Sequence, residues 1–133
     1  MTTRNMANSG TWRFSAEACE LRGARTAVGQ FAASHGVQDV DAVRLAVSEA
    51  VTNVILHAYR DDDRPGECLV SAWRDPEDGL VVWVCDDGQG MRPRPDSPGV
   101  GAGLPLIASV VQSLQVERRP TGGTRIMMSF AAG

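Results

Sequence analysis

Lysine is absent from this sequence. Its 133 residues include 13 basic residues, and each of these is an arginine. A site built on a lysine side chain is therefore excluded, including the phosphate-binding P-loop, whose motif contains Gly-Lys. The basic side chains are also outnumbered by 16 acidic ones, which gives a formal net charge of −3. This balance lacks the basic footprint of nucleic-acid-binding proteins, so we expect no direct contact with nucleic acid.

Cysteine is scarce, and long apolar runs are absent. Cys19, Cys68 and Cys85 are odd in number and widely spaced, which predicts neither a disulfide framework nor a zinc site. We expect all three thiols to be reduced and buried. No segment approaches the roughly 20 apolar residues that cross a bilayer, and the N-terminal residues show no apolar run of signal-peptide length. A soluble cytoplasmic protein without membrane contact is expected.

The residues that are present suit a single folded domain. Apolar residues make up 43% of the chain, which is enough for an ordinary core. Residues 1–10 are small and polar and are predicted to form a flexible leader. Residues 11–133 are then predicted to form the domain.

Hydrophobic periodicity predicts the order strand, helix, helix, strand, strand, loop, helix, strand, strand. Because hairpins link most of the strands, we expect a mixed, mainly antiparallel sheet covered on one face by three helices, a two-layer α/β sandwich. The predicted strands are 11–14, 68–73, 80–85, 115–118 and 124–130, with an irregular loop at 86–103. The first predicted helix runs from the N-cap Ser15 to about Ser34, and the second from Asp39 or Asp41 to about Arg60. The third has Pro105 in its first turn and an apolar face formed by Leu104, Ile107, Ala108, Val111 and Leu114.

Polar side chains form a stripe along the second predicted helix. Glu49, Asn53 and His57 are spaced by four residues, so they lie on one side of the helix beside its apolar face. Such a stripe borders the core, where a carboxylate and an amide can share a partly shielded site. An ordinary exposed helix face also fits this spacing.

A glycine-rich segment follows the most apolar predicted strand. It runs Asp86-Asp87-Gly88-Gln89-Gly90-Met91. A carboxylate at a strand end can accept a hydrogen bond from the exocyclic amine of adenine. Glycine allows a ligand to approach the backbone closely and also permits a positive φ. A plain Asp-Gly turn is the alternative.

Two further glycine clusters lie near predicted elements. Gly99-Val100-Gly101-Ala102-Gly103-Leu104 opens the third helix, where exposed backbone N–H groups favour an anion such as phosphate. The dinucleotide fingerprint is excluded because its sixth position is Leu104 and not glycine. Gly122-Gly123-Thr124 precedes the last strand, where the Thr124 hydroxyl can reach a phosphate or the segment is a simple hairpin turn.

Taken in order, these segments resemble the N box and the three glycine boxes of the Bergerat-fold (GHKL) ATPases. The matching segments are Glu49-x-x-x-Asn53, Asp86-x-Gly88-x-Gly90, Gly99-x-Gly101-x-Gly103 and Gly123-Thr124. The stretch from Ser48 to Asn53, the following His57-Ala58-Tyr59, and the run from Gly103 to Ile107 are similar to those of the anti-sigma factor serine kinases. The resemblance covers about residues 11–130.

This resemblance implies a site for ATP and Mg²⁺. Glu49 corresponds to the general base that acts on a partner's serine or threonine hydroxyl, and Asn53 to a ligand of Mg²⁺. Asp86 corresponds to the residue that accepts the adenine amine. The remaining implied nucleotide-binding residues are His57, Gly88, Gly90, Met91, Gly101, Gly103, Leu104 and Thr124.

The resemblance also implies partners. Family members sequester a sigma factor, phosphorylate an anti-anti-sigma antagonist protein and form homodimers. Arg22 and Arg25, which lie off the apolar stripe of the first helix, correspond to the region that engages the antagonist. Residues 92–98 correspond to the ATP lid, which three prolines make short and stiff.

Two other functions fit the same motifs. One is a regulatory module that binds ATP as a structural ligand without phosphotransfer. The other is the catalytic part of a split histidine kinase, which would need a separate dimerisation protein and which the short lid disfavours.

Overall fold

The computed structural model describes residues 8–59, 61–88 and 99–131, with only the backbone described at 99–103. Within these residues it contains five strands and three α-helices in the predicted order. A 3₁₀ turn, Ala18–Glu20, precedes the first helix, and a π-helical segment, Val54–Ala58, continues the second. The elements are β1 Ser9–Ser15, α1 Leu21–Ser34, α2 Val40–Asn53, β2 Glu67–Asp75, β3 Gly79–Asp86, α3 Gly99–Val110, β4 Ser113–Arg118 and β5 Thr124–Phe130.

The strands form one sheet in the order β1-β2-β3-β5-β4. Each neighbouring pair is antiparallel. In the register of the sheet, Val70 lies opposite both Trp12 and Val84, and Val84 lies opposite Ile126. The chain crosses from β3 to the edge strand β4 through α3. The predicted two-layer α/β sandwich is confirmed, with a sheet whose described pairs are all antiparallel.

The core lies between the helices and one face of the sheet. Alternate residues of β2, β3 and β5 point into it, as the two-residue period of a strand requires. The helices contribute small apolar side chains at helical spacing. The buried cluster includes Ala24, Val28, Ala32, Val43, Val47, Ala50, Val51, Val54, Cys68, Val70, Ala72, Leu80, Val82, Val84, Ile107, Ile126, Met128 and Phe130.

The start of α1 differs from the prediction. Ser15 is the last residue of β1, where it lies opposite Glu67, and it does not cap a helix. The Ala16 N–H donates to the Gly66 carbonyl at 2.8 Å, so the pairing between the two chain segments extends one residue beyond β1 and β2. Because strand pairing continues beyond Ser15, α1 begins only at Leu21.

The start of α2 is confirmed, and its end is not. Asp39 is the N-cap, and its Oδ1 accepts a hydrogen bond from the Ala42 N–H at 3.0 Å. The α-helix ends at Asn53, well before the predicted end near Arg60, and the π-helical segment follows. The wider π turn keeps the apolar Val54 and Ala58 buried. The spacing of apolar residues in the sequence therefore does not reveal the change from α-helix to π-helix.

The bounds of α3 also differ from the prediction. The helix begins at Gly99, within the segment expected to be irregular, so Pro105 lies inside it and not in its first turn. It ends at Val110, where the Gln112 N–H donates to the Ser129 carbonyl at 2.7 Å. Leu114 belongs to β4, opposite Met128. Its apolar side chain suits a helix face and a strand equally, and pairing with β5 selects the strand.

Two of the three cysteines are buried, as expected. Burial raises the pKa of the Cys68 thiol to about 12. Cys85 is buried as well, whereas Cys19 is exposed, contrary to the prediction, because it lies in the 3₁₀ turn before α1. In the part of the chain that the structure describes, no helix is long and apolar enough to cross a membrane.

Candidate functional site

The candidate site centres on Asp86, the last residue of β3. Asp86 continues the inward-facing positions Leu80, Val82 and Val84, and it is only 3% exposed. Its Oδ1 accepts a hydrogen bond from the Gly88 N–H at 2.9 Å, and its carboxylate also accepts one from the Thr124 N–H. Burial raises the pKa of Asp86, and the two N–H groups partly oppose this shift. A buried ionisable group with a shifted pKa is typical of a functional site.

Two glycines bring neighbouring segments against this strand end. A Cβ on Gly88 would lie 2.0 Å from the Ala58 carbonyl oxygen, so the π-helical segment packs directly on Gly88. A Cβ on Gly123 would lie 1.9 Å from the Asp86 carbonyl oxygen, and Gly123 has a φ of +86°. Gly88 does not have a positive φ, so close packing, and not backbone conformation, requires glycine there.

The polar stripe of α2 leads into the π-helical segment, whose Ala58 packs on Gly88 beside the end of β3. Asn53 is 3% exposed, and its Nδ2 has no hydrogen-bond partner among the described residues. A buried amide whose NH₂ the fold leaves unpaired can serve a ligand, because the NH₂ suits a phosphate oxygen and the amide oxygen is of the type that Mg²⁺ prefers. Glu49, one turn earlier, and His57, in the π-helical segment, are both half-buried.

The second glycine cluster, Gly99 to Gly103, lies in the first turns of α3. Gly101 and Gly103 are helical, and α3 packs against α2. Leu104 is half-buried and packs against the core. The predicted residues Gly90 and Met91, and the segment 92–98, lie outside the described residues.

The structure places Thr124 and the α1 arginines as follows. Thr124 is buried, and its N–H donates to the Asp86 carboxylate; a contact of its hydroxyl with phosphate stays a prediction. Arg22 and Arg25 are exposed on α1, away from its buried residues Ala24 and Val28.

Two residues without a predicted role contact the strand end. The Tyr59 Oη accepts a hydrogen bond from the Asp87 N–H at 2.9 Å. The Arg119 Nη1 lies 2.7 Å from the Asp87 Oδ1 and 3.0 Å from the Asp86 carbonyl oxygen. Tyr59 follows the N-box stretch directly, which is the one local signal for it; nothing in the sequence around Arg119 indicates its contacts.

The fold is that of an ATPase domain. The family model of the histidine kinase-like ATPase domain matches residues 14–130. An ATPase domain implies a nucleotide-binding site.

Curated relatives narrow this class. The chain is 33% identical to an anti-sigma F factor of Clostridium acetobutylicum, over 79% of this chain and 80% of that protein. It is 34% identical to the anti-sigma F factor of Clostridium novyi, over 79% and 81%. It is 31% identical to that of Caldanaerobacter subterraneus subsp. tengcongensis, over 83% and 84%. The chain belongs to the histidine kinase-like ATPase domain family, in the branch that contains the anti-sigma factors, which confirms the resemblance of its motifs.

Proposed function

We propose that this protein is an ATP-binding anti-sigma factor that also phosphorylates a serine or threonine of an antagonist protein. The observation that carries the proposal is the Asp86 carboxylate, buried at a strand end and held by two backbone N–H groups in a chain of this family. The names of the relatives support a sigma factor as one partner.

Asp86 recognises adenine in this proposal. One carboxylate oxygen keeps its hydrogen bond from the Gly88 N–H, and the carboxylate accepts a further hydrogen bond from the N6 amine of the base. A guanine presents a carbonyl oxygen at that position, which the carboxylate repels, so the site selects adenine. Gly88 and Thr124 line the base end, and Gly90 and Met91, outside the described residues, remain sequence predictions for the same site.

Asn53 and the start of α3 bind the phosphates. The Asn53 amide oxygen would hold Mg²⁺, an ion that prefers oxygen ligands. The N-terminal end of α3, which includes Gly101, presents the free backbone N–H groups of its first turn and the positive end of the helix dipole to the phosphates, and Gly103 and Leu104 follow one turn further along the pocket. His57 borders the pocket from the π-helical segment.

Glu49 is the general base of the proposed phosphotransfer. The partner's hydroxyl oxygen attacks the γ-phosphorus while its proton passes to the Glu49 carboxylate. The bond from the γ-phosphorus to the β,γ-bridging oxygen breaks, and ADP leaves with that oxygen. Mg²⁺ and the fixed N–H groups supply the charge stabilisation on which phosphoryl transfer mainly depends.

The proposed partners follow from the family branch. A sigma factor is sequestered, the anti-anti-sigma antagonist is the phosphorylated substrate, and the protein works in the cytoplasm as a homodimer. Arg22 and Arg25 are exposed on α1 and available to the antagonist. Such a contact would be electrostatic and therefore sensitive to salt.

The test is incubation with Mg²⁺, γ-labelled ATP and candidate antagonists from the same genome. We expect label on a serine or threonine of one antagonist, loss of that label in Glu49→Ala, and unchanged ATP binding by this variant in calorimetry. The matched control is Glu77→Ala, which deletes an exposed carboxylate in the β2–β3 turn. We expect this variant to keep full activity. ATP binding without label on any antagonist would favour the non-catalytic regulatory module instead.

A further inference from the structure

Asp87 is exposed and has no predicted role, yet two separate elements bind it. Its backbone N–H donates to the Tyr59 Oη at 2.9 Å. Its Oδ1 accepts a hydrogen bond from the Arg119 Nη1 at 2.7 Å, and the same Nη1 donates to the Asp86 carbonyl oxygen at 3.0 Å. The backbone on the C-terminal side of the Asp86 side chain is therefore fixed from two directions.

The Tyr59 side of this arrangement is rigid. The Tyr59 hydroxyl donates to the Glu67 carbonyl at 2.6 Å while it accepts a hydrogen bond from the Asp87 N–H. It therefore joins the end of the π-helical segment to the first residue of β2 and to the residue that follows β3. The ring lies on Gly66, where a Cβ would come within 2.2 Å of it. The hydroxyl has little freedom to move away from Asp87.

The Arg119 side is anchored in the turn between β4 and β5. The Arg119 N–H donates to the Gly123 carbonyl, and the Gly122 N–H donates to the Arg119 carbonyl, each at 3.0 Å. The Arg119 side chain is only 22% exposed. A partly desolvated arginine that bonds a carboxylate and a carbonyl at once fixes geometry more firmly than a solvated pair.

From these contacts we propose that Tyr59 and Arg119 are positioning residues that hold the Asp86 carboxylate in the direction of the nucleotide base, with Asp87 as their common attachment. This inference rests on the proposed role of Asp86 in adenine binding. The Asp86 side chain projects from backbone that Tyr59 and Arg119 fix, so its direction depends on them although neither touches the ligand. A displaced carboxylate loses the directional hydrogen bond to the N6 amine and keeps the contacts of the rest of the nucleotide.

Arg119→Met tests this role against a closely matched control. Arg125→Met removes a comparable ion pair: Arg125 lies 2.6 Å from Glu117 and is 25% exposed, on the other face of the sheet. The measurement is calorimetric affinity for Mg-ATP and Mg-ITP, because inosine lacks the 6-amino group. We expect Arg119→Met to lose on the order of tenfold in ATP affinity, the scale of one charge-assisted hydrogen bond, and to lose no ITP affinity, since the carboxylate repels the 6-carbonyl oxygen of ITP. Arg125→Met should change neither affinity.

The effect must also depend on Asp86. In an Asp86→Asn background, adding Arg119→Met should cost little further ATP affinity, since the residue that Arg119 positions is already altered. Tyr59→Phe should repeat the selective loss. Should Arg119→Met fail to fold, Asp87→Asn replaces it, because this side chain is 67% exposed and its change keeps the N–H to Tyr59.

The outcomes separate this inference from the proposed function. Equal losses of ATP and ITP affinity, full additivity with Asp86→Asn, or an unchanged ATP-to-ITP ratio in Arg119→Met would overturn the positioning role while nucleotide binding stands. A wild-type protein that binds no ATP would overturn the proposed function, and the positioning role with it.

Discussion

At the scale of single residues, Asp86 occupies a position that the pattern of β3 reserves for an apolar side chain. It follows Val82 and Val84 on the inward face, and a buried carboxylate there costs free energy unless it is hydrogen-bonded. Hydrogen bonds from the N–H groups of Gly88 and Thr124 offset part of that cost. The pKa of Asp86 is still raised, because the effect of burial exceeds that of the hydrogen bonds. In the proposed function this burial has a use, because a desolvated acceptor recognises a ligand amine more strongly than a solvated one.

Tyr59 gives a direct test of the hydrogen bonds around the strand end, because it is the only tyrosine in the chain. Burial, and then the nearby Asp86 and Asp87 carboxylates, raise the pKa of its hydroxyl above the ordinary 10.0, although the Asp87 N–H opposes the shift. We expect an absorbance titration of the folded protein to show tyrosinate appearing with a midpoint above that in urea.

The sign of the effect on stability follows from this shift. The unfolded chain releases the Tyr59 proton at about 10, before the folded protein does, so the stabilising contribution is complete below that pH and is lost as pH rises through the folded-state pKa. Urea unfolding at increasing alkaline pH measures this loss. Equal midpoints in folded and unfolded protein would show that the hydroxyl is not enclosed between Glu67 and Asp87.

Sequence alone indicated Asp86 but gave no role to Tyr59 or Arg119. A carboxylate directly after an apolar strand and before two glycines is a local pattern. The contacts of Asp87 join residues 28 and 32 positions apart in the chain. No local periodicity or propensity encodes a contact at that separation, so it becomes visible only when the strands and turns are assembled.

At the scale of elements, the start of a helix was predictable where a side chain caps it, as at α2, and not where strand pairing or the fold sets it, as at α1 and α3. The Asp39 cap marks the beginning of α2, because its side chain meets a free N–H of the first turn. The change to a π-helix after Asn53 has no comparable marker. It follows from packing, since the Ala58 carbonyl meets Gly88 of a different element. Single π-helical turns are frequent at functional sites, and this one carries His57 beside the buried Asn53.

The turn before β5 offers a matched pair of glycine substitutions. Gly122 and Gly123 both have a positive φ, of +96° and +86°, but a Cβ on Gly122 would meet nothing within 4 Å, whereas one on Gly123 would meet the Asp86 carbonyl oxygen. We expect Gly122→Ala to cost roughly 1–3 kcal/mol of unfolding free energy from backbone strain alone. Gly123→Ala should cost more and should also weaken ATP binding, because it displaces Asp86.

Denaturant unfolding and calorimetry measure the two effects of these substitutions separately. Similar stability and similar ATP affinity in both variants would mean that the turn does not press against the strand end. A loss of ATP affinity in Gly122→Ala as large as in Gly123→Ala would mean that the turn matters through its conformation alone.

At the scale of the whole molecule, the order of elements read from the sequence was enough to predict the architecture. Apolar alternation in the strands and helical spacing in α1 and α2 leave one arrangement that buries both, a sheet with helices on one face. The strand order could not be derived in the same way, because β4 and β5 are exchanged relative to the chain and only the crossover through α3 makes this possible. In the proposed function, the site is therefore composed of α2, the end of β3, the start of α3 and the β4–β5 turn.

Because the site draws on elements from Glu49 to Thr124, ATP bound there should stabilise the entire domain and not one part of it. At a free concentration of a hundred times its dissociation constant, a ligand that binds only the folded state adds about 2.7 kcal/mol to the unfolding free energy. Asp86→Asn should weaken ATP binding by roughly 1–3 kcal/mol, the scale of a lost hydrogen bond to a charged group. With a tenfold weaker affinity, the same ATP concentration adds only about 1.4 kcal/mol.

Urea unfolding with and without Mg-ATP measures this difference for the wild type, Asp86→Asn and Asp78→Asn. Asp78 is exposed in the β2–β3 turn, at the opposite end of β3 from Asp86, so its variant should gain as much from ATP as the wild type does. ITP should stabilise the wild type less than ATP does, since it offers no 6-amino group to the carboxylate. Equal stabilisation of wild type and Asp86→Asn by ATP would remove Asp86 from the base site, and it would also leave the burial of this carboxylate without a function in the folded domain.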